Sequence, residues 1–185
     1  MMNSTDNWTF SMPSDPFRLK VMKAVTERLK TITPANGYMH DLSDFTDQAG
    51  RTVTRVSRGR LNFGASDEVP FLAVLEDPRA IDPNNAKDEN PVAANKLRLL
   101  IQGFVEDDKD HPLDPAYHLS ADAISALVKG KADRFNILDM GGKVSALSIG
   151  QPVHRPGADE VSTNAYFIFG VTLTLIENLE CPRGE

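Results

Sequence analysis

The chain has 185 residues, 41% of them hydrophobic, with 20 Lys and Arg against 26 Asp and Glu and a single cysteine. That length fits one domain, and the composition excludes collagen-like, disulfide-stapled and wholly disordered classes; Cys181 has no partner, so a reducing compartment is the simplest setting. No apolar run nears ~18 residues, which removes a membrane span, and the net charge of −6 argues against bulk affinity for nucleic acid, because neutralising phosphates needs clustered Lys and Arg.

Residues 1–13 read as a flexible arm, too polar for a secretory signal. Residues 14–180 read as a single α+β domain. Asp15-Pro16 is a helix start, since Asp15 can accept a bond from an orphan amide and Pro16 suits the first helical position. Phe17, Val21, Val25, Leu29 and Ile32 then recur at helical spacing, and Thr33-Pro34 ends the ladder. Residues 35–50 are loop-like. Thr52 to Val56 is a first strand, and Arg58-Gly59-Arg60 marks a turn or bulge before Leu61-Asn62-Phe63. Phe71 to Leu75 is a continuous apolar run, the pattern of a strand covered on both faces. Residues 76–95, rich in Pro, Asn, Asp and Ala, read as a long loop.

Leu97, Leu99, Ile101 and Val105 alternate with polar residues, so 96–106 is a half-buried strand. Asp114-Pro115 repeats the helix-start signal; Tyr117, Ala121, Ile124, Leu127 and Val128 supply a second apolar stripe, and Gly130 is the stop. Gly141-Gly142 is a turn, and Val144 to Ile149 is another strand. Residues 164–177 carry the strongest strand signal, with Ala165, Phe167, Phe169, Val171, Leu173 and Leu175 on one face. The predicted architecture is a mixed, largely antiparallel sheet with two amphipathic helices packed on one face and a long C-terminal strand.

No catalytic constellation can be assembled from the sequence. There is no nucleophile elbow, and the Gly-Lys pairs at 130–131 and 142–143 lack the hydroxyl that completes a phosphate-binding loop. Glu106, Asp107, Asp108 and Asp110, with His111 and Asp114 behind them, are the best oxygen cluster for a hard cation, but their spacing fails the calcium-loop pattern. His40, His111, His118 and His154 are scattered. No catalytic, cofactor-binding or metal-binding residue is therefore assigned. The alternative from another class is a small metal-dependent enzyme using the carboxylates at 106–114 with His111 or His118.

Charge and geometry point toward assembly. Residues 1–60 hold nine Lys and Arg against six Asp and Glu, whereas residues 61–185 hold eleven against twenty. Arg51, Arg55, Arg58 and Arg60 form the one basic cluster, either a surface for an anionic partner or a charged hairpin that deters edge aggregation. A compact domain of this length is about 40 Å across, while Asn164 to Glu177 fully extended would span about 46 Å. Unless Gly170 hosts a bend, that strand overhangs its own sheet and offers backbone and the Val171, Leu173 and Leu175 face to a second copy. In a head-to-tail ring the arginines of one copy would meet an acidic loop, 76–90 or 106–110, of the next.

The chain resembles the tail terminator (tail completion, minor tail) proteins of long-tailed bacteriophages over roughly residues 15–178. The resemblance rests on the early helix, the strands Phe71 to Glu76 and Leu97 to Glu106, the acidic link with His111, the helix from Asp114, Arg155-Pro156, and the closing strand Leu173-Thr174-Leu175-Ile176-Glu177. It implies a non-enzymatic virion protein without cofactors, closing into a ring, typically a hexamer, that stops tail-tube polymerisation and joins tail to head. Its implied partners are the tail-tube protein and a head-tail connector or neck protein, with DNA passing through the lumen without specific binding. It implies assembly in the host cytoplasm and residence at the head-proximal end of the tail. Another neck or head-completion ring component is the neighbouring reading.

Overall fold

The computed structural model describes residues 14–61, 67–81, 92–129, 135–157 and 164–183. The predicted arm at 1–13, the middle of the predicted 76–95 loop, Asn62-Phe63 and the Gly130 stop lie outside the described residues. Helix α1 runs Phe17–Lys30 and helix α2 Asp114–Val128; the strands are β1 (Phe45–Thr46), β2 (Thr52–Val53), β3 (Val56–Arg58), β4 (Phe71–Glu76), β5 (Val92–Val105), β6 (Val144–Ile149), β7 (Val153–Arg155) and β8 (Ala165–Asn178). The α+β class and the largely antiparallel sheet with a long C-terminal strand agree with expectation. The main sheet has the order β3-β4-β5-β8-β6, with β7 also on β8; among the described residues only the β3–β4 pair is parallel.

The α1 stripe is as the spacing predicts: Phe17, Val21, Val25 and Leu29 are buried, joined by Met22 and Thr26. Its start is capped differently. Pro16 occupies the cap and Asp15 pairs with Lys23 instead, while the Phe17 amide donates to the Pro182 carbonyl at 2.7 Å. The C-terminal tail thus supplies the acceptor that a capping side chain normally gives.

Helix α2 starts where predicted, but its buried face is rotated. Ala116, Leu119, Ser120, Ala123, Ala126 and Leu127 face inward, whereas Tyr117 and Val128 are exposed. Three alanines let the helix axis sit close over β5 and β8, and bulky Tyr117 is pushed to the rim. Both helices and the inner face of the sheet contribute to one buried cluster, which includes Leu97, Leu99 and Ile101 from β5 and Phe167, Phe169, Val171 and Leu173 from β8.

Three expectations about strands are corrected. The predicted 76–95 loop gives up both ends: Glu76 closes β4, and β5 begins at Val92. The predicted strand at 52–56 is divided, with Thr52–Val53 pairing with β1 and Val56–Arg58 joining the main sheet. The overhang is also absent. Every residue of β8 pairs with one of β5, from Val105 opposite Ala165 to Val92 opposite Asn178, without a bulge at Gly170. The sheet is simply as long as the strand, because β5 is its equal.

Between these two strands, Gly103 is needed for packing. A Cβ there would collide with the Phe167 ring and come within 2.7 Å of Leu72 Cδ2. The ring fills the space that a side chain on β5 would take, and it stacks on Phe169 at 5.6 Å between centroids. β4 is buried on both faces, as its apolar run predicts; Phe71, Ala73, Leu75 and Phe104 form a second, smaller cluster on the outer face.

Candidate functional site

Strand alternation assigns the outer face. Leu99 and Val171 point into the core, so their neighbours Arg98 and Thr172, which pair with each other, point out; Ser148 of β6 lies opposite Thr172 on the same side. Beyond β6 the chain turns at Gly150, whose amide donates to the Gly170 carbonyl at 2.8 Å. These residues, with Asp77, Pro78 and Arg79 after β4, line an open groove of about 800 Å³. Bare backbone at Gly150 and Gly170 lets it sink between flanking side chains.

The electrostatics of the groove follow from two arginines and one carboxylate. Asp77 is buried and accepts two bonds from Arg79, Nε to Oδ1 at 2.9 Å and Nη2 to Oδ2 at 3.0 Å, plus the Arg79 amide. Those side-chain bonds hold its carboxyl below the usual range; burial opposes them, and the Arg79 and Arg98 charges assist. Arg98 is half-buried, and its guanidinium has no hydrogen bond or ion pair among the described residues. Asp77 pairs with Arg79, which leaves Arg98 as a cation without an ion pair among the described residues, lining a concave surface. Such a group favours a carboxylate or another anion that brings its own acceptor geometry.

The sequence-predicted basic cluster is less available than its charge suggests. Arg51 pairs with Asp47 at 2.7 Å and Arg60 with Asp67, and Arg60 also lies over the Phe71 ring. Arg55 sits over the Phe45 ring, 4.7 Å from its centroid, and donates to the Val69 carbonyl at 3.3 Å. Arg58 is exposed and has no such partner among the described residues. The apolar set is corrected outright. Val171, Leu173 and Leu175 are at most 1% exposed, inside the chain's own core, so they present no face to a neighbour. Alternation on a sheet covered by its own helices accounts for them completely.

The acidic segment is a solvated turn. Asp108 accepts the amides of Asp110 at 2.8 Å and His111 at 2.7 Å, which holds its carboxyl below the usual range. The carboxylates of Glu106, Asp107 and Asp110 are exposed and have no hydrogen-bond or ion-pair partner among the described residues. Among the described residues no three His, Cys, Asp or Glu come together in a way that could hold a metal ion.

Two histidine contacts were invisible in the sequence. His40 Nδ1 lies 2.8 Å from Asp122 Oδ2, which also accepts the amides of Met39 and His40, so this carboxylate ties the 39–40 segment to α2. Ser120 Oγ lies 2.8 Å from His154 Nε2, the spacing of a nucleophile and its base, but the hydroxyl proton goes to the Tyr117 carbonyl at 2.9 Å. The serine therefore accepts from His154, the reverse of the polarity that activates a nucleophile. His154 also stacks on Tyr117 at 3.7 Å, and burial lowers its pKa. This trio fastens β7 to α2.

No protein-family model matches the chain, and no curated protein sequence matches it. Among the described residues no helix is long and apolar enough to cross a membrane.

Proposed function

We propose that the chain is a structural assembly protein that closes with copies of itself into a ring, in the manner of phage tail terminators. One observation carries the reading. Both α-helices gather on one side of the sheet, and on the other side, where half-buried Leu100, Tyr166 and Ile168 lie near the groove, there is no α-helix among the described residues. A face of mixed polarity with a partly buried apolar centre suits subunit contacts. In this reading the ring, a hexamer by resemblance, caps the tail tube, ends its growth and receives the head-tail connector. Virion DNA passes through the lumen without specific contacts, and like-charge repulsion from a net-acidic chain keeps it from sticking.

The test is direct. Negative-stain images of the purified protein, alone and mixed with tail-tube ends, are expected to show an annulus, matched by an oligomeric mass in light scattering. A chain that stays monomeric at its highest soluble concentration and ignores tube ends overturns the reading.

A further inference from the structure

Arg98 sits midway along β5, and the acidic turn begins just past the end of that strand. Eight residues of extended chain separate Arg98 from Glu106, about 27 Å at strand spacing, so a subunit's own turn cannot fold back into its groove. The groove offers a guanidinium with no ion pair among the described residues, beside Ser148 and Thr172; the turn offers exposed Glu106, Asp107 and Asp110.

We propose that the groove around Arg98 receives the Glu106–Asp110 turn of a second copy of this chain. The inference rests on the assembly reading and deepens it by naming the two surfaces that meet. Charge complementarity selects the occupant. The chain is acidic overall, so copies repel at long range and association needs a local cation facing local carboxylates. Arg51 and Arg60 already hold Asp47 and Asp67, and exposed Arg58, on β3, does not line the groove. A contact that joins two different surfaces is heterologous, so repetition generates either a closed ring or an open filament. The Thr172 hydroxyl can donate to a carboxylate as well, while Arg98 engages it through two parallel N–H groups; the Ser148 hydroxyl donates to the Thr172 carbonyl at 3.5 Å.

Charge reversal and swap test this in size-exclusion chromatography with light scattering at about 0.1 M salt, where charges are screened beyond about 10 Å. Arg98→Glu is expected to weaken self-association at least tenfold. Glu106→Lys with Asp107→Lys, both on an exposed turn, is expected to do the same without touching the core. Combining the three substitutions restores opposite charges and is expected to regain the oligomer. Should Arg98→Glu misfold by circular dichroism, Arg98→Gln and the turn variant decide alone. If the wild type oligomerises and these variants match it, the groove contact is wrong while the assembly reading stands. Loss in the single variants without recovery in the combination also overturns the pairing. A wild type that never associates overturns the assembly reading itself.

Discussion

The two faces of the sheet are built from the same strands and behave as different materials. On the inner face Leu99 and Ile101 of β5 and Phe167, Phe169 and Leu173 of β8 are at most 2% exposed, beneath two helices. One residue along in either direction, Arg98, Gln102, Ile168 and Thr172 are only half-buried, and among the described residues no helix covers them. The period of two in a strand is what separates them, so neighbouring positions carry stability and surface chemistry respectively. The division is not perfect, because at the β4 end the outer face has a buried apolar patch of its own, where Phe104 stacks on Tyr166 at 5.9 Å.

The largest effect expected from breaking this contrast is at the aromatic centre of the inner face. Phe167→Ala should cost about 3–5 kcal/mol in urea unfolding, because the ring is fully buried and leaves a cavity. The same truncation on the outer face, Thr174→Ala, should stay within about 0.5 kcal/mol; comparable losses at both sites would mean that the outer face is also core. Gly103→Ala comes next. The added methyl meets Phe167 and Leu72, and overpacking of this kind costs about 1–3 kcal/mol. Pairing it with Phe167→Leu should recover part of the loss in a double-mutant cycle, and strict additivity would show that the ring is not what the methyl strikes.

The smallest effect is a pH slope where β7 meets α2. Burial lowers the His154 pKa below its unfolded value of about 6.5, so the fold favours the neutral ring. The unfolded chain then binds more protons in the window below about 6.5, and stability falls as pH drops through it, down to the folded pKa. Above that window the contribution is fully present. His154→Gln should flatten this part of the Tm-against-pH curve and leave the acid limb untouched. That limb belongs to carboxylates such as Asp77 and Asp47, whose lowered values place their loss of stability below 3.8. An unchanged slope near pH 6 would assign it to another group.

Legibility in the sequence followed periodicity. α1 and β8 were readable because a single stripe decides their buried face. α2 was located correctly but turned wrongly, because alanines that allow close approach look weaker in a sequence than Tyr117 and Val128, which the tight contact excludes. The start of β5 was missed for a related reason: Val92-Ala93-Ala94-Asn95 has little strand character alone and is held by pairing with Leu175 to Asn178. The groove could not have been found by local pattern. Its parts come from residues 77–79, 98–99, 148–150 and 170–172, and nothing local marks Arg98 as lacking a counterion. The arginine cluster at 51–60 misled in the opposite way, since Asp47, Asp67 and the Phe45 ring, close in sequence, engage Arg51, Arg60 and Arg55 and leave only Arg58 without such a partner among the described residues.

The ladder between β5 and β8 has a consequence for how the protein is made. Its nearest partners, Val105 and Ala165, are far apart along the chain, and its farthest, Val92 and Asn178, are farther still. While a ribosome is extending the polypeptide, β4 and β5 have emerged but β5 lacks its neighbour on one side, and β6 and β7 have nothing at all to pair with. The nascent chain must therefore carry an open strand edge on β5, and helices that lack half of their sheet, until β8 has cleared the exit tunnel. During that interval chaperones have most to hold, and crowding among nascent copies is most dangerous.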